Sequence, residues 1–196
     1  MLTKQPDLAA TISTRICHDL ISPIGAISNG LELLEMANTP HSPELDLIAQ
    51  SVINANAKIR YLRIAFGDAA ANPEDTREIL AEYYSNPRLK LVWAITQPLE
   101  QTTLKLLFLL LLCAEKINPL GGSLHVSQTT RGIELQIKGQ DLCIDDYWDF
   151  SAHRFHPQNG PSYIQFNLVQ SHLDIQQIKL CLTHTPQEVV MTITPS

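Results

Sequence analysis

Residues Thr14 to Leu34 read TRICHDLISPIGAISNGLELL, and this stretch decides the first part of the fold. Apolar side chains recur along it in alternating steps of three and four, at Cys17, Leu20, Ile24, Ile27, Leu31 and Leu34. That spacing predicts a helix with one buried apolar row. We expect the helix to end near Asn38-Thr39-Pro40, because proline cannot continue a helix.

A second helix is predicted to begin at Ser42-Pro43-Glu44, since serine is a good N-cap and proline suits the first turn. Its apolar row, again in steps of three and four, is Leu45, Ile48, Val52, Ala55, Ile59, Leu62 and Phe66. Two helices joined by a short turn form an antiparallel hairpin. A hairpin has apolar surface left over after its own pairing, so we expect a homodimer that completes a four-helix bundle.

The remainder of the chain mixes helices and strands. After Gly67 the stretch DAAANPEDT is typical of a connector that ends in a helix cap. A short helix, a strand, a long helix, the hairpin SLHVSQ–GIELQIKG, a further helix and a last pair of strands are then predicted. This order favours an α+β sandwich with helices on one face of a single sheet. We therefore predict two domains, residues 1–68 and 69–196.

Composition and charge exclude several classes of function. The net charge of −6, with 14 scattered Lys and Arg, would repel a phosphate backbone and argues against nucleic-acid binding. The four cysteines show no spacing typical of a zinc site or a disulfide framework, so we expect thiols in a reducing compartment and no bound metal. The longest apolar run, residues 106–114, is too short to cross a bilayer. We expect no membrane association and a cytoplasmic location.

The first helix also carries a second, polar row. Steps of four, three and four lead from His18 to Ser22, Gly25 and Asn29, which therefore share one face. Gly25 costs about 0.5–1 kcal/mol inside a helix, and Pro23 costs more and should bend it. A low-bulk face beside an imidazole suits phosphoryl exchange between proteins, because a neutral ring nitrogen is nucleophilic near pH 7. The alternative is an ordinary surface histidine and a glycine that only serves helix packing.

The order of residues in this segment favours the functional interpretation. His18-Asp19-Leu20-Ile21-Ser22-Pro23 resembles the H-box of sensor histidine kinases, and the longer string CHDLISPIGAISNGLELL resembles ChpT-type histidine phosphotransferases of alphaproteobacterial phosphorelays. The resemblance implies a dimeric helical hairpin followed by a domain shaped like a histidine kinase ATP-binding module. It also implies that His18 is phosphorylated and that Asp19 orients or deprotonates the imidazole.

The second domain departs from a working kinase module. By the resemblance, Leu109 and Cys113 stand where such modules carry two asparagines, one of them a magnesium ligand. Residues 138–142, KGQDL, replace the D-x-G-x-G box, and no glycine-rich lid precedes the last helix. We therefore expect no cofactor on this chain and no ATP-dependent kinase activity.

The leading hypothesis is a phosphotransferase that takes a phosphoryl group from the receiver aspartate of a hybrid kinase onto His18 and hands it to response regulators. We expect receivers to dock across Ser22, Gly25 and Asn29, to supply Mg²⁺ themselves, and to place phosphate where Arg15 could steady its charge. Two alternatives stay open. One is a non-catalytic dimeric scaffold that binds receivers, and the other is an autophosphorylating kinase.

Overall fold

The computed structural model describes residues 8–36, 43–85, 88–157 and 160–194, and within α1 only the backbone of residues 8–12, 14, 15, 18, 19, 23 and 35. Its contacts divide the chain into two compact units, residues 1–83 and 84–196. None of the helices in the described ranges is long and apolar enough to cross a membrane.

The first unit contains the predicted helical hairpin, α1 (Leu8–Met36) and α2 (Pro43–Ala65). Helix α1 begins at Leu8, nine residues before Cys17, the first residue of the apolar row, and Ala9 and Ala10 favour helix there. The helix continues through Pro23 without a break. The bend expected at this proline stays a prediction. Helix α2 begins with Pro43 in its first turn, as predicted, whereas the expected turn at Asn38-Thr39-Pro40 and the Ser42 cap lie outside the described residues.

The apolar row of α1 is less buried than the sequence predicts. Cys17 is 6% exposed, but Leu20, Ile27 and Leu34 are 46%, 50% and 43% exposed. The physical reason is that one partner helix covers only one side of α1. The predicted buried row is therefore buried only in part in the single chain, and apolar surface remains on the hairpin, as expected.

Helix α3 (Pro73–Tyr83) follows the connector and packs on α2. Asn72 caps it, because its Oδ1 accepts hydrogen bonds from the amides of Glu74 and Asp75 at 2.9 Å. The Tyr83 ring stacks on the fully buried Tyr61 with centroids 4.0 Å apart. The sequence analysis assigned residues 73–83 to the second predicted domain. In the structure, these contacts join α3 to the hairpin. The division into folding domains 1–68 and 69–196 stays a prediction.

The second unit is an α+β sandwich, as predicted. Its strands are β1 (Leu89–Trp93), β2 (Gly122–Thr129), β3 (Gly132–Gly139), β6 (Lys179–Thr185) and β7 (Glu188–Thr194), in the order β1-β2-β3-β7-β6. Strand β1 pairs parallel with β2, and the other pairs are antiparallel. The predicted hairpin SLHVSQ–GIELQIKG is confirmed, and it turns at Thr130-Arg131, since Thr129 pairs with Gly132.

Burial alternates along the strands, so one face of the sheet forms the core. Leu124, Val126, Leu135, Ile137, Val189 and Met191 are all fully buried on this face. The helices of this unit are α4 (Gln101–Ile117) and α5 (Ile164–Gln176), which pack on each other. Helix α4 is apolar almost all round, and residues 106–111 are at most 1% exposed, which is typical of a central core helix. A small hairpin, β4 (Trp148–Asp149) and β5 (Arg154–Phe155), lies between β3 and α5 in sequence.

Candidate functional site

The candidate site is the polar row on α1. Ser22 and Asn29 are exposed, and Gly25 is half-buried. A Cβ atom built on Gly25 would have no atom of the described residues within 4 Å, so these residues leave the space above this glycine open. The fold therefore leaves room for another molecule at the centre of the row.

The backbone of α1 places residues 15, 18 and 19 on the same helix, one to two turns before Gly25. With about 100° per residue, positions 18, 22, 25 and 29 fall within an arc of about 60°. The shared face predicted from the sequence is therefore confirmed for the backbone positions. The side chains of Arg15, His18 and Asp19 lie outside the described part of the structure, and their roles stay predictions.

The exposed apolar strip lies on the other side of α1. Ile16, Leu20, Ile27 and Leu34 are each between 43% and 54% exposed. Their helical positions lie about 160–200° from position 18. An apolar partner could cover this strip without covering the polar row.

Helix α2 meets the turn of α1 that precedes residue 18. Burial raises the pKa of the Cys17 thiol, and the nearby Arg63 guanidinium and a hydrogen bond with Ser13 partly oppose that shift. The sequence analysis missed Arg63, because only the pairing of the two helices brings it close to this turn. Its position beside the apolar row of α2, between Leu62 and Phe66, gave no signal of its own.

In the second unit, Leu109 and Cys113 stand at the two positions where the resemblance to kinase modules would place asparagines. Leu109 is 1% exposed and Cys113 is fully buried in the core. Burial raises the pKa of the Cys113 thiol well above its usual range. Neither side chain, as placed here, presents a polar ligand to a bound nucleotide.

The glycines near the end of α4 have structural contacts. Asn118 is 2% exposed, and its Nδ2 donates to the carbonyl of Lys138 at 3.1 Å. Its side chain lies over the paired Gly122 and Gly139, where a Cβ on Gly139 would come within 2.2 Å of the Asn118 Oδ1. Gly121 takes a left-handed φ of 88° with its Cβ position against the Arg88 carbonyl. These glycines allow close packing of the α4–β2 turn on β3.

Aromatic rings pack in and around the segment that precedes α5. Tyr147 stacks on Phe166 with centroids 4.6 Å apart, and Trp148 meets Phe155 edge-on at 4.9 Å. The Lys116 ammonium lies 5.3 Å from the centre of the Tyr163 ring. The segment is thus a packed part of the core. Within the described ranges, no group of three or more His, Cys, Asp or Glu side chains is arranged to hold a metal ion.

Comparison with known proteins points to one family. Residues 73–187 match the family model of the histidine phosphotransferase C-terminal domain. The protein phosphotransferase ChpT of Brucella abortus (strain 2308) is 38% identical over 146 residues, which cover 69% of this chain and 69% of that protein.

Solved structures include a similar protein. A structure described as a bacterial phosphotransferase superposes with a TM-score of 0.67 at 26% identity and covers 98% of both chains. The Acinetobacter baumannii histidine kinase AdeS gives a TM-score of 0.46 at 13% identity, over 91% of this chain and 97% of that chain.

Proposed function

Because the chain belongs to the histidine phosphotransferase family and is a phosphotransferase of a phosphorelay, we propose that it carries the phosphoryl group on His18. The observation that carries this proposal is the accessible row on α1. Position 18 begins it, Ser22 and Asn29 are exposed along it, and Gly25 leaves it open. A receiver domain needs such access to bring its aspartyl phosphate to an imidazole.

In the proposed step, a neutral ring nitrogen of His18 attacks the phosphorus of the receiver's aspartyl phosphate. The N–P bond forms as the P–O bond to aspartate breaks, and the bonding pair stays on the carboxylate. The imidazole is then a phosphorylated cation that loses its other ring proton to water or to Asp19. Transfer to a second receiver reverses these bond changes, so the exchange needs no net redox or hydrolytic partner.

The developing negative charge requires cations at the transferring group. We assign Mg²⁺ to the receiver, where carboxylates form the phosphorylation site, and Arg15 to the α1 side. Ser22, Gly25 and Asn29 form the docking row. The source receiver belongs to a hybrid kinase and the acceptors are response regulators, in the cytoplasm, where free thiols such as those of Cys17 and Cys113 persist.

We also propose that the chain acts as a homodimer. The α1 strip of Ile16, Leu20, Ile27 and Leu34 is exposed, and α2 also exposes Leu47, Ile48 and Ile53, each residue being at least 43% exposed. Exposed large apolar side chains in this number are typical of an interaction site. A second hairpin would bury it in a four-helix bundle and leave the polar row of each chain free.

The experiment is transfer of labelled phosphate from a phosphorylated receiver, with Mg²⁺, to the wild-type chain and to His18→Gln. We expect acid-labile, base-stable label on the wild type and none on the variant. Equal label on both chains would contradict the assignment to His18. Receiver binding without label on either chain would favour the scaffold, and label from ATP alone would favour a kinase.

A further inference from the structure

The α1-facing side of α2 ends in an arginine. Val52 and Ile59 are 8% and 7% exposed, and their spacing of seven residues puts them in one row on α2. Arg63 follows Ile59 by four residues and therefore extends the same row toward the C-terminal end of the helix. In an antiparallel hairpin, that end lies beside the N-terminal half of α1.

The side chain of Arg63 is close to the turn of α1 that carries residue 18. Cys17 is 6% exposed, on a helix that packs against α2. The Arg63 guanidinium is near enough to the Cys17 thiol to act on its charge. Cys17 directly precedes His18, so the arginine and the proposed phosphorylation site belong to the same level of the hairpin.

Arg63 and Arg60, three residues apart on α2, differ in their ion pairs. Arg60 is held between α2 and α3 by Glu82 at 2.7 Å and Glu78 at 3.2 Å. Among the side chains that the structure describes, none places a carboxylate on Arg63 in this way. Arg63 is half-buried rather than fully extended into solvent. Part of the Arg63 side chain is therefore accessible from solvent at this level of the hairpin.

We propose that Arg63 is a positioning residue for phosphoryl transfer at His18, where its guanidinium attracts and orients the phosphoryl oxygens. This inference rests on the proposed function. A guanidinium matches phosphate geometry through paired hydrogen bonds and keeps its proton throughout. It therefore adds charge stabilisation from α2 while the N–P and P–O bonds exchange as described above, and it neither gives nor takes a proton.

The test compares Arg63→Gln, Arg63→Lys and the control Arg60→Gln in the full chain. Single-turnover transfer from a phosphorylated receiver is measured at several receiver concentrations, together with thermal unfolding. We expect Arg63→Gln to lower the rate constant at saturating receiver about 10- to 100-fold, the range for loss of a hydrogen bond to a charged group. Arg63→Lys should recover part of the rate, because lysine keeps the positive charge and loses only the paired hydrogen bonds of the planar guanidinium.

The control separates chemistry from stability. Arg60→Gln should lower the melting temperature and leave the saturated rate within about twofold of wild type, since its ion pairs join helices. A saturated rate for Arg63→Gln within twofold of wild type would overturn the inference, as would an equal loss of rate in Arg60→Gln. Absence of label on wild-type His18 would instead overturn the proposed function and this inference together.

Discussion

At the scale of single residues, the polar row on α1 combines poor helix formers with open space. Glycine in a helix interior loses more backbone entropy on folding than alanine does. Gly25 has no described atom within 4 Å of its Cβ position, so none of the described residues requires a glycine there. A requirement for a small residue would then come from a docked partner.

Gly25→Ala should therefore have opposite effects on the stability of the chain and on the rate of phosphoryl transfer. The substitution should raise the free energy of unfolding by about 0.5–1 kcal/mol and slow phosphoryl transfer, because the added methyl group separates the two surfaces. Denaturant titration and single-turnover transfer measure the two effects. Gly30→Ala is the control: its Cβ position is also open, but it lies about 140° further round the helix. Equal transfer rates for both variants would contradict a docking role for Gly25.

At the scale of elements, the end of α4 is fixed to β3 by Asn118. The buried side chain of Asn118 fits only because Gly122 and Gly139 face it without side chains. Gly121 and Gly122 follow α4 closely in the sequence. The structure shows their use in close packing, which could not be inferred without the position of Asn118.

Gly139→Ala should therefore destabilise the second unit by about 1–3 kcal/mol, as overpacking in a tight core does. The new methyl group would meet the Asn118 amide at 2.2–2.7 Å. Adding Asn118→Ala should recover part of the loss by removing that contact. Urea titrations of the single and double variants measure this coupling. Simple additivity of the two losses would show that the contact is not the cause.

The contact between α4 and α5 should make stability depend on pH. Burial and the nearby Lys105 lower the pKa of His172, opposed by a hydrogen bond with the backbone of Thr102. The unfolded state then binds more protons, so this contribution is complete above about pH 6.5 and is lost as the pH falls below it. We expect the free energy of unfolding to fall more steeply from pH 7 to pH 5 in wild type than in His172→Gln. Identical slopes would show that His172 is not responsible.

At the scale of the whole molecule, the sequence predicted the order of helices and strands and the sandwich fold. It also placed Ser22, Gly25 and Asn29 on one helix face, since periodicity is a local property. It did not predict that α3 packs on α2, because the Tyr61–Tyr83 stack joins residues 22 apart through tertiary contact. Nor did it identify Arg63, whose significance depends on which turn of α1 lies opposite.

The exposed apolar strip leads to a prediction about assembly. Ile27 is 50% exposed in the single chain, so Ile27→Glu costs little in a monomer but would place a charge inside an apolar dimer interface. We expect light scattering to give the mass of two chains for wild type and of one chain for Ile27→Glu. Asn29→Glu, on the polar row, should stay dimeric. A monomeric wild type would contradict the four-helix bundle.

The most direct test of the central claim is a relay in one reaction between two receivers. A purified, labelled phosphoreceiver is mixed with Mg²⁺, an unlabelled second receiver and either the wild-type chain or His18→Gln at catalytic concentration. The account predicts that label reaches the second receiver only with the wild-type chain, with transient label on His18. Label that reaches the second receiver equally fast with His18→Gln would contradict it.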